Sequence, residues 1–341
     1  MKKPNIRDVA RLAGVSTTTV SHVVNNTRFV ETDTRDKVLS AITRLRFRPN
    51  HIARSLAVRR SFSVGLIISD VANPYYNNVI KGVEAVALAN KYTIYLFNAN
   101  YDVPRSLDFI DSIVSRMVDG VMVMTSRIEQ PLIDEILACD LPAVLSDYDG
   151  KSSSNIGIVS IDFEHGIREM VAHLLGLGHR TFAYVSGDSN MRTSTIRWDI
   201  FVKVLAENGI PAADVHLCRG NFRIDGGRRA LHEALAADRK PTALFAVNDM
   251  SAIGLLLEAQ ETGLSVPRDL SIVGVDNIDL GKEISPHLTT IAIPGHDLGK
   301  RSMGMLMEII NANRTGDAQD AARFHEVIQT ELIVRGTTAR A

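Results

Sequence analysis

Apolar residues near the N-terminus recur at helical spacing. Ile6, Val9, Ala10 and Ala13 fall at i, i+3, i+4 and i+7, so they share one face of a helix. Asn5 is placed to cap its start, Asp8 to return a bond to the first turn or favour its positive end, and Gly14 to close its end in the left-handed conformation. Only Val15 and Ser16 separate this helix from the next. Ser16 caps TTTVSHVVN, whose Val20, Val23 and Val24 turn inward while Thr17, Thr18, Ser21 and His22 turn outward. A third helix, from about Thr34 to Phe47, places Val38, Leu39, Ile42 and Leu45 inward and Arg35, Lys37, Arg44 and Arg46 outward. Helix, short glycine turn and helix make a helix-turn-helix. After Arg48-Pro49, the segment NHIARSLAVRR has helical patterning but is too short to be stable alone.

Beyond Ser61 the pattern changes. Short runs rich in Val, Ile and Leu (VGLIIS, TIYLFNA, GVMVM, PAVLSD, IGIVSID, FAYVSG, VHLCRG, ALFAVND, LSIVGVDN) alternate with amphipathic stretches or short connections. Continuous apolar runs joined by crossover helices predict parallel sheets covered on both faces. About eleven strands exceed one core, so the expectation is an α/β body of two doubly wound parallel-sheet lobes behind a small all-α head. HEVIQTELIVRG reads as a last apolar strand.

Charge separates the same two parts. The first 60 residues hold 13 Lys+Arg against 4 Asp+Glu, a balance of +9; the remaining 25 basic and 35 acidic residues leave −10 on the body, within a whole-chain charge of −1. A basic head with a folded helical pattern is a polyanion-binding module. Its polar, uncharged recognition face (Thr17, Thr18, His22) suits base edges in the major groove, where threonine methyls meet thymine and a histidine donates to guanine. The 45% hydrophobic and 23% charged fractions give no sign of disorder. No apolar run reaches a membrane-spanning length and no signal-peptide core follows the first lysines, so a cytoplasmic protein without membrane contact is expected. Cys139 and Cys218 lie far apart with no CxxC or histidine cluster, which predicts neither disulfide nor metal, and both read as buried small hydrophobes.

In open parallel sheets ligands bind beyond the carboxyl ends of the strands. The polar residues there are Asn73, Tyr75 and Tyr76 after VGLIIS, Asp147-Tyr148 after PAVLS, Asn248-Asp249 after ALFAV and Asp276-Asn277 after LSIVGV, with Arg197 on the helix following FAYVSG. Carboxylates accept from adjacent hydroxyls, arginine donates from a rigid fork, and aromatic rings cover the C–H face of a sugar. Asp102, Asp188, Asn190 and His296 also lie near strand ends and rank below these. Asp249 can equally cap the helix that follows it.

IRDVARLAGVSTTTVSHVVN followed by RPNHIARSL resembles the lactose-repressor (LacI/GalR) family, especially its purine and ribose repressor branches, and the likeness extends over essentially the whole chain. The resemblance implies that Thr17, Thr18, His22 and Arg28 contact a palindromic operator. It implies that Asn50 to Ala57 form a hinge helix, in which Asn50 also touches DNA and Leu56 wedges into the minor groove. Ala57 stands where many members carry a lysine. Asn73, Tyr75, Tyr76, Asp147, Arg197, Phe222, Asp249 and Asp276 are implied to line the effector site. The implied organisation is 1–48 head, 49–61 hinge and linker, and 62–341 body. The body's first lobe is about 62–161 and 292–322 and its second about 162–291 and 323–341, with crossings near Asp162, Ala292 and Ala322. A homodimer through the helix from Tyr76 to Tyr92 follows from the family, and the lack of leucine heptads argues against a tetramer.

Two alternatives stay open. The sugar-like inventory favours a pentose or hexose inducer, but a purine corepressor is the competing effector. An enzyme ranks lower, since GxGxxG, GKS/T, GxSxG and HExxH are all absent. No catalytic residue and no cofactor is expected.

Overall fold

Asn5 and Asp8 form a reciprocal capping box at the head of the first helix. The Asn5 side chain accepts from the Arg7 and Asp8 amides at 2.9 and 3.2 Å, and the Asp8 carboxylate accepts from the Asn5 amide at 3.0 Å. Helix α1 (Ile6–Ala13) stops at Gly14 with φ 69°, where an L side chain would be strained. Ser16 accepts from the Thr19 amide at 3.0 Å and starts α2 (Thr17–Asn25). Helix α3 spans Thr32–Leu45, two residues earlier than its pattern indicates. Arg46 takes a left-handed φ of 50°, and the Phe47 amide turns back to the Ile42 carbonyl at 3.0 Å. The head's core is Val9, Ala10, Val20, Val23, Val38 and Ala41. Leu39, read as inward, is 44% exposed because Val38 and Ala41 occupy that face.

The computed structural model describes residues 4–25, 28–47, 60–115, 118–125, 130–146, 148, 150–188, 191–316 and 321–341. The chain divides into two compact units, Met1–Ser61 and Phe62–Ala341. In the second unit, β1 (Ser63–Ile68), α4 (Tyr75–Ala89), β2 (Thr93–Asn98), α5 (Val103–Ser115), β3 (Gly120–Met124), α6 (Gln130–Ala138), β4 (Ala143–Ser146) and β5 (Ile156–Asp162) build the first lobe. The second lobe takes α7 (Phe163–Gly176), β6 (Phe182–Val185), α8 (Arg192–Glu207), β7 (Val215–Cys218), α9 (Ile224–Leu235), β8 (Ala243–Ala246), α10 (Asp249–Glu261), β9 (Ser271–Asp276), α11 (Leu280–Glu283) and β10 (Thr289–Ala292). The chain then returns through α12 (Gly295–Thr315) and β11 (His325–Gln329) to the first lobe and ends on β12 (Glu331–Ile333) in the second.

The two sheets have the orders β11-β5-β4-β3-β1-β2 and β12-β10-β9-β8-β6-β7. Every pairing is parallel except β10 with β12. Both sheets reverse order beside their first strand, β1 or β6, which is the position where a doubly wound sheet opens a crevice. Strands β1, β3, β4, β8, β9 and β10 are buried throughout, as continuous apolar runs require. Helices α4 and α12 pack backbone to backbone. A β-carbon on Gly82 would lie 2.0 Å from the His296 carbonyl oxygen, and one on Gly299 2.1 Å from that of Val79. Cys218 is buried, whereas Cys139 is only half-buried, with its thiol 3.5 Å from Glu135.

The third crossing lies at Thr330, not near Ala322, and the first lobe therefore extends to Gln329. HEVIQ pairs in parallel with β5, while ELI pairs antiparallel with β10, so the run read as one strand is two strands in two sheets. Thr330, 1% exposed, stitches the first and third crossings together. Its hydroxyl donates to the Asp162 carbonyl at 2.6 Å and accepts from the Gly166 amide at 3.2 Å. Thr330→Val keeps the shape and strands both backbone groups, so unfolding free energy should fall by about 1–3 kcal/mol in denaturant titrations. A variant as stable as the parent would show that these bonds contribute nothing to the crossing.

Candidate functional site

On the head, Ser16 holds the first turn of α2 so that Thr17 and Thr18 face outward and are exposed; His22 is half-buried one turn later. Arg28 is exposed in the connection to α3. The four thus lie on or just beyond the second helix. Asn50, Leu56 and Ala57 lie outside the described residues.

In the body, the carboxyl ends of the two sheets face a cleft whose wall is shared by both lobes. Asn73, Tyr75 and Tyr76 line it from the first lobe, and Arg197, Phe222 and Asp276 from the second. Thr125, Ser146, Thr193 and Asn248 add polar groups, while Tyr101, Met124 and Ile293 add apolar ones. Asp147 and Asn190 lie outside the described residues. Asp102, Asp188 and His296 are exposed and do not line the cleft. Asp102 instead accepts from the Arg105 amide at 3.2 Å, opening α5.

Among the described residues, Asp249 is the one expected effector residue that does not line the cleft wall. Asn248 is the helix cap: its side chain accepts from the Ser251 amide at 2.9 Å and donates to the Phe222 carbonyl at 2.9 Å. Asp249, one residue later, turns beneath the floor, where it is fully buried. It accepts from the Thr290 hydroxyl at 2.6 Å and from the Ile278 amide at 2.9 Å. Tyr101, Thr125, Ser146 and Thr193 also line the cleft, and nothing in the local sequence pattern singles them out. Tyr101 directly precedes the flagged Asp102, and a left-handed φ of 61° turns it into the cleft.

Arg197 is 5% exposed on α8. Its guanidinium donates to the Val247 carbonyl and lies 4.4 Å from the Phe163 ring centroid, while its Nε has no hydrogen-bond partner. An unpartnered donor on a buried cation is costly, which makes Arg197 a candidate ligand contact. Asp276 is its counter-charge. Burial pushes the Asp276 carboxyl up to about 6, opposed by Arg197 and by the Asn73 amide, which donates across the lobes at 3.4 Å. Asp249 is raised well above the usual carboxylate range, first by burial and then by the Asp276 charge, against its bonds from Thr290 and Ile278. Tyr76 donates to the Met124 carbonyl at 3.2 Å, and burial raises its hydroxyl to about 12, so it stays a neutral donor. Among the described residues no group of three His, Cys, Asp or Glu is placed to hold a metal, and no helix is long and apolar enough to cross a membrane.

A raised carboxyl pKa means that the folded protein holds its proton more tightly than the unfolded chain. The Asp276 contribution to stability is full below about pH 4 and lost as pH rises through about 6. Asp276→Asn should thus gain thermal stability relative to the parent as pH increases from about 4 to about 7, read as the difference in Tm across that window. A constant difference would contradict the assignment.

Comparison with known proteins fits both units. Residues 5–50 match the bacterial regulatory proteins of the lacI family, and residues 171–338 match the periplasmic binding protein-like domain. The chain is 37% identical over 331 residues to an HTH-type transcriptional repressor PurR of Photobacterium profundum, covering 97% of each protein. A lac repressor dimer bound to operator and the anti-inducer ONPF aligns at TM-score 0.85 and 27% identity, over 99% of this chain and 100% of that one. A LacI family transcriptional regulator from Enterococcus faecium with bound ribose aligns at TM-score 0.73 and 28% identity, over 82% of this chain and 99% of that one. These relatives regulate transcription and are not enzymes. With a helix-turn-helix head and a two-lobed, polar-walled cleft, the chain belongs to the lacI family of bacterial regulatory proteins and is a transcriptional repressor with an effector-binding domain.

Proposed function

We propose that this repressor binds a palindromic operator as a cytoplasmic homodimer and is released from it by a monosaccharide of the ribose class. Thr17, Thr18, His22 and Arg28 read each half-site in the major groove, and Asn50 and Leu56 act at its centre, Leu56 by opening a base step. Dimer formation through the first lobe is supported by its edge strand β2, whose Tyr95 and Leu96 are exposed, together with Leu88 near the end of α4.

The observation that carries the sugar reading is the polar wall itself. A buried guanidinium with an unpartnered Nε, the Asp276 carboxylate and the Asn73 amide converge from both lobes beside the aromatic faces of Tyr75 and Phe222. Such a set matches adjacent hydroxyls over an apolar C–H face. A purine corepressor is the second reading, favoured by the identity to PurR over nearly the whole chain. Either ligand acts only through unequal affinity for two lobe arrangements, because equal affinity shifts nothing.

Calorimetric titration with ribose, other monosaccharides, hypoxanthine and guanine distinguishes the two; binding of a purine alone overturns the sugar reading. In operator gel shifts the bound sugar should weaken DNA affinity. Arg197→Ala should weaken sugar binding by about 10- to 100-fold, the worth of a charged hydrogen bond in a dry site. Leu56→Ala should weaken specific operator binding and leave effector affinity unchanged; undiminished operator affinity would refute the wedge.

A further inference from the structure

The mouth of the cleft is bridged by two pairs of adjacent residues, one pair from each lobe. Asn100-Tyr101 follows β2 in the first lobe, and Phe222-Arg223 follows β7 in the second. The two rings stack with centroids 5.1 Å apart and planes 13° from parallel. Arg223 reaches across to the Asp70 carboxylate with two bonds of 3.2 and 2.9 Å and to the Asn100 side-chain oxygen at 2.7 Å. The rings line the cleft, and the Arg223 side chain is 47% exposed, so the ionic layer lies outside the aromatic one.

This bridge is built rather than incidental. Tyr101 and Phe222 hold left-handed φ values of 61° and 64°, a conformation that bulky L residues adopt only when their surroundings impose it, whereas Asn100, at 54°, enters it readily. Asp70 is almost wholly buried, and its own turn presents Asn73. Its side chain accepts from the Ala72 amide at 3.0 Å and its carbonyl from the Asn73 amide at 3.0 Å. Breaking the Arg223 bond therefore disturbs the residue that donates to Asp276.

We infer that Asp70, Arg223 and the Tyr101–Phe222 stack form a size gate, which lets the lobes come together only over an effector of a single sugar ring and rejects one carrying a further ring toward the mouth. The inference deepens the sugar reading and rests on it for the chemical class, but the geometry concerns ligand size. A second ring occupies the place of the stack and leaves the Asp70 carboxylate without its partner. Loss of a buried partner is a stronger means of rejection than a merely smaller pocket.

The test titrates the full-length parent, Arg223→Ala and Asp70→Asn with D-ribose and D-glucose against maltose, and with hypoxanthine against inosine. In whichever series binds, the parent should prefer the single ring by about 100-fold, and both variants should shrink that preference by about 10-fold. An unchanged preference in both variants, or a parent that accepts the larger member equally well, overturns the gate. Binding in the hypoxanthine series alone overturns the sugar reading while the size ratio still reports on the gate. Hydrogen exchange on the unliganded protein gives a readout that needs no ligand. The amides of Ala72, Asn73 and Tyr101 should exchange faster in Arg223→Ala, and unaltered exchange there overturns the bridge. Arg223→Lys keeps the charge but loses the fork, and should fall between parent and alanine variant in both measurements.

Discussion

The cleft is organised around one buried cation. Removing the Arg197 guanidinium from water costs several kcal/mol on general grounds, and the fold offsets that only in part. It offers the Val247 carbonyl, the face of Phe163 and the Asp276 charge, and leaves Nε without an acceptor. The neighbouring groups follow from this. Asp276 sits at the floor, where its charge is felt by Arg197, and Asp249 beneath it is held above the usual carboxylate range by its burial and then by the Asp276 charge. Asn248 turns its side chain to the Phe222 carbonyl, fixing the residue on which the mouth closes.

Two lobes are needed because neither sheet alone supplies such a set. The carboxyl ends of parallel strands gather polar turns, and facing two of them doubles the inventory within one enclosed space. The three crossings then determine how the halves meet. Thr330 ties the first crossing to the third through Asp162 and Gly166, which makes the two segments one strap instead of two independent linkers.

Much of this was legible in the sequence wherever the deciding physics is local. Asn5, Asp8 and Gly14 mark the ends of α1 by hydrogen-bond chemistry within four residues, and continuous Val-Ile-Leu runs identify buried parallel strands without knowledge of their neighbours. Legibility ended where partners are distant. HEVIQTELIVRG is apolar on both sides of Thr330, and nothing within it says that its halves pair with different sheets. Asn248 and Asp249 are equally polar, and only the cap geometry decides which faces the cleft. Arg223 is an ordinary surface arginine until Asp70, 153 residues away, is brought beside it.

The value of an effector to closure is a difference, and the inter-lobe contacts define what is subtracted. Asn73 and Asp276 already bond across the cleft, but at 3.4 Å the bond is long and weak. A hydroxyl inserted between an amide and a carboxylate exchanges that single poor bond for two good ones, one to each lobe. A further ligand oxygen at Arg197 would meet its unpartnered Nε. The gain exists only while both lobes are in place, since an opened cleft leaves the ligand with one side of the set and returns the other to water. A ligand that satisfies these groups therefore binds the two arrangements unequally, which is the condition for shifting a population. A ligand that merely fills apolar volume beside Met124 and Ile293 meets that condition far less well, because burying area against one lobe discriminates little between open and closed.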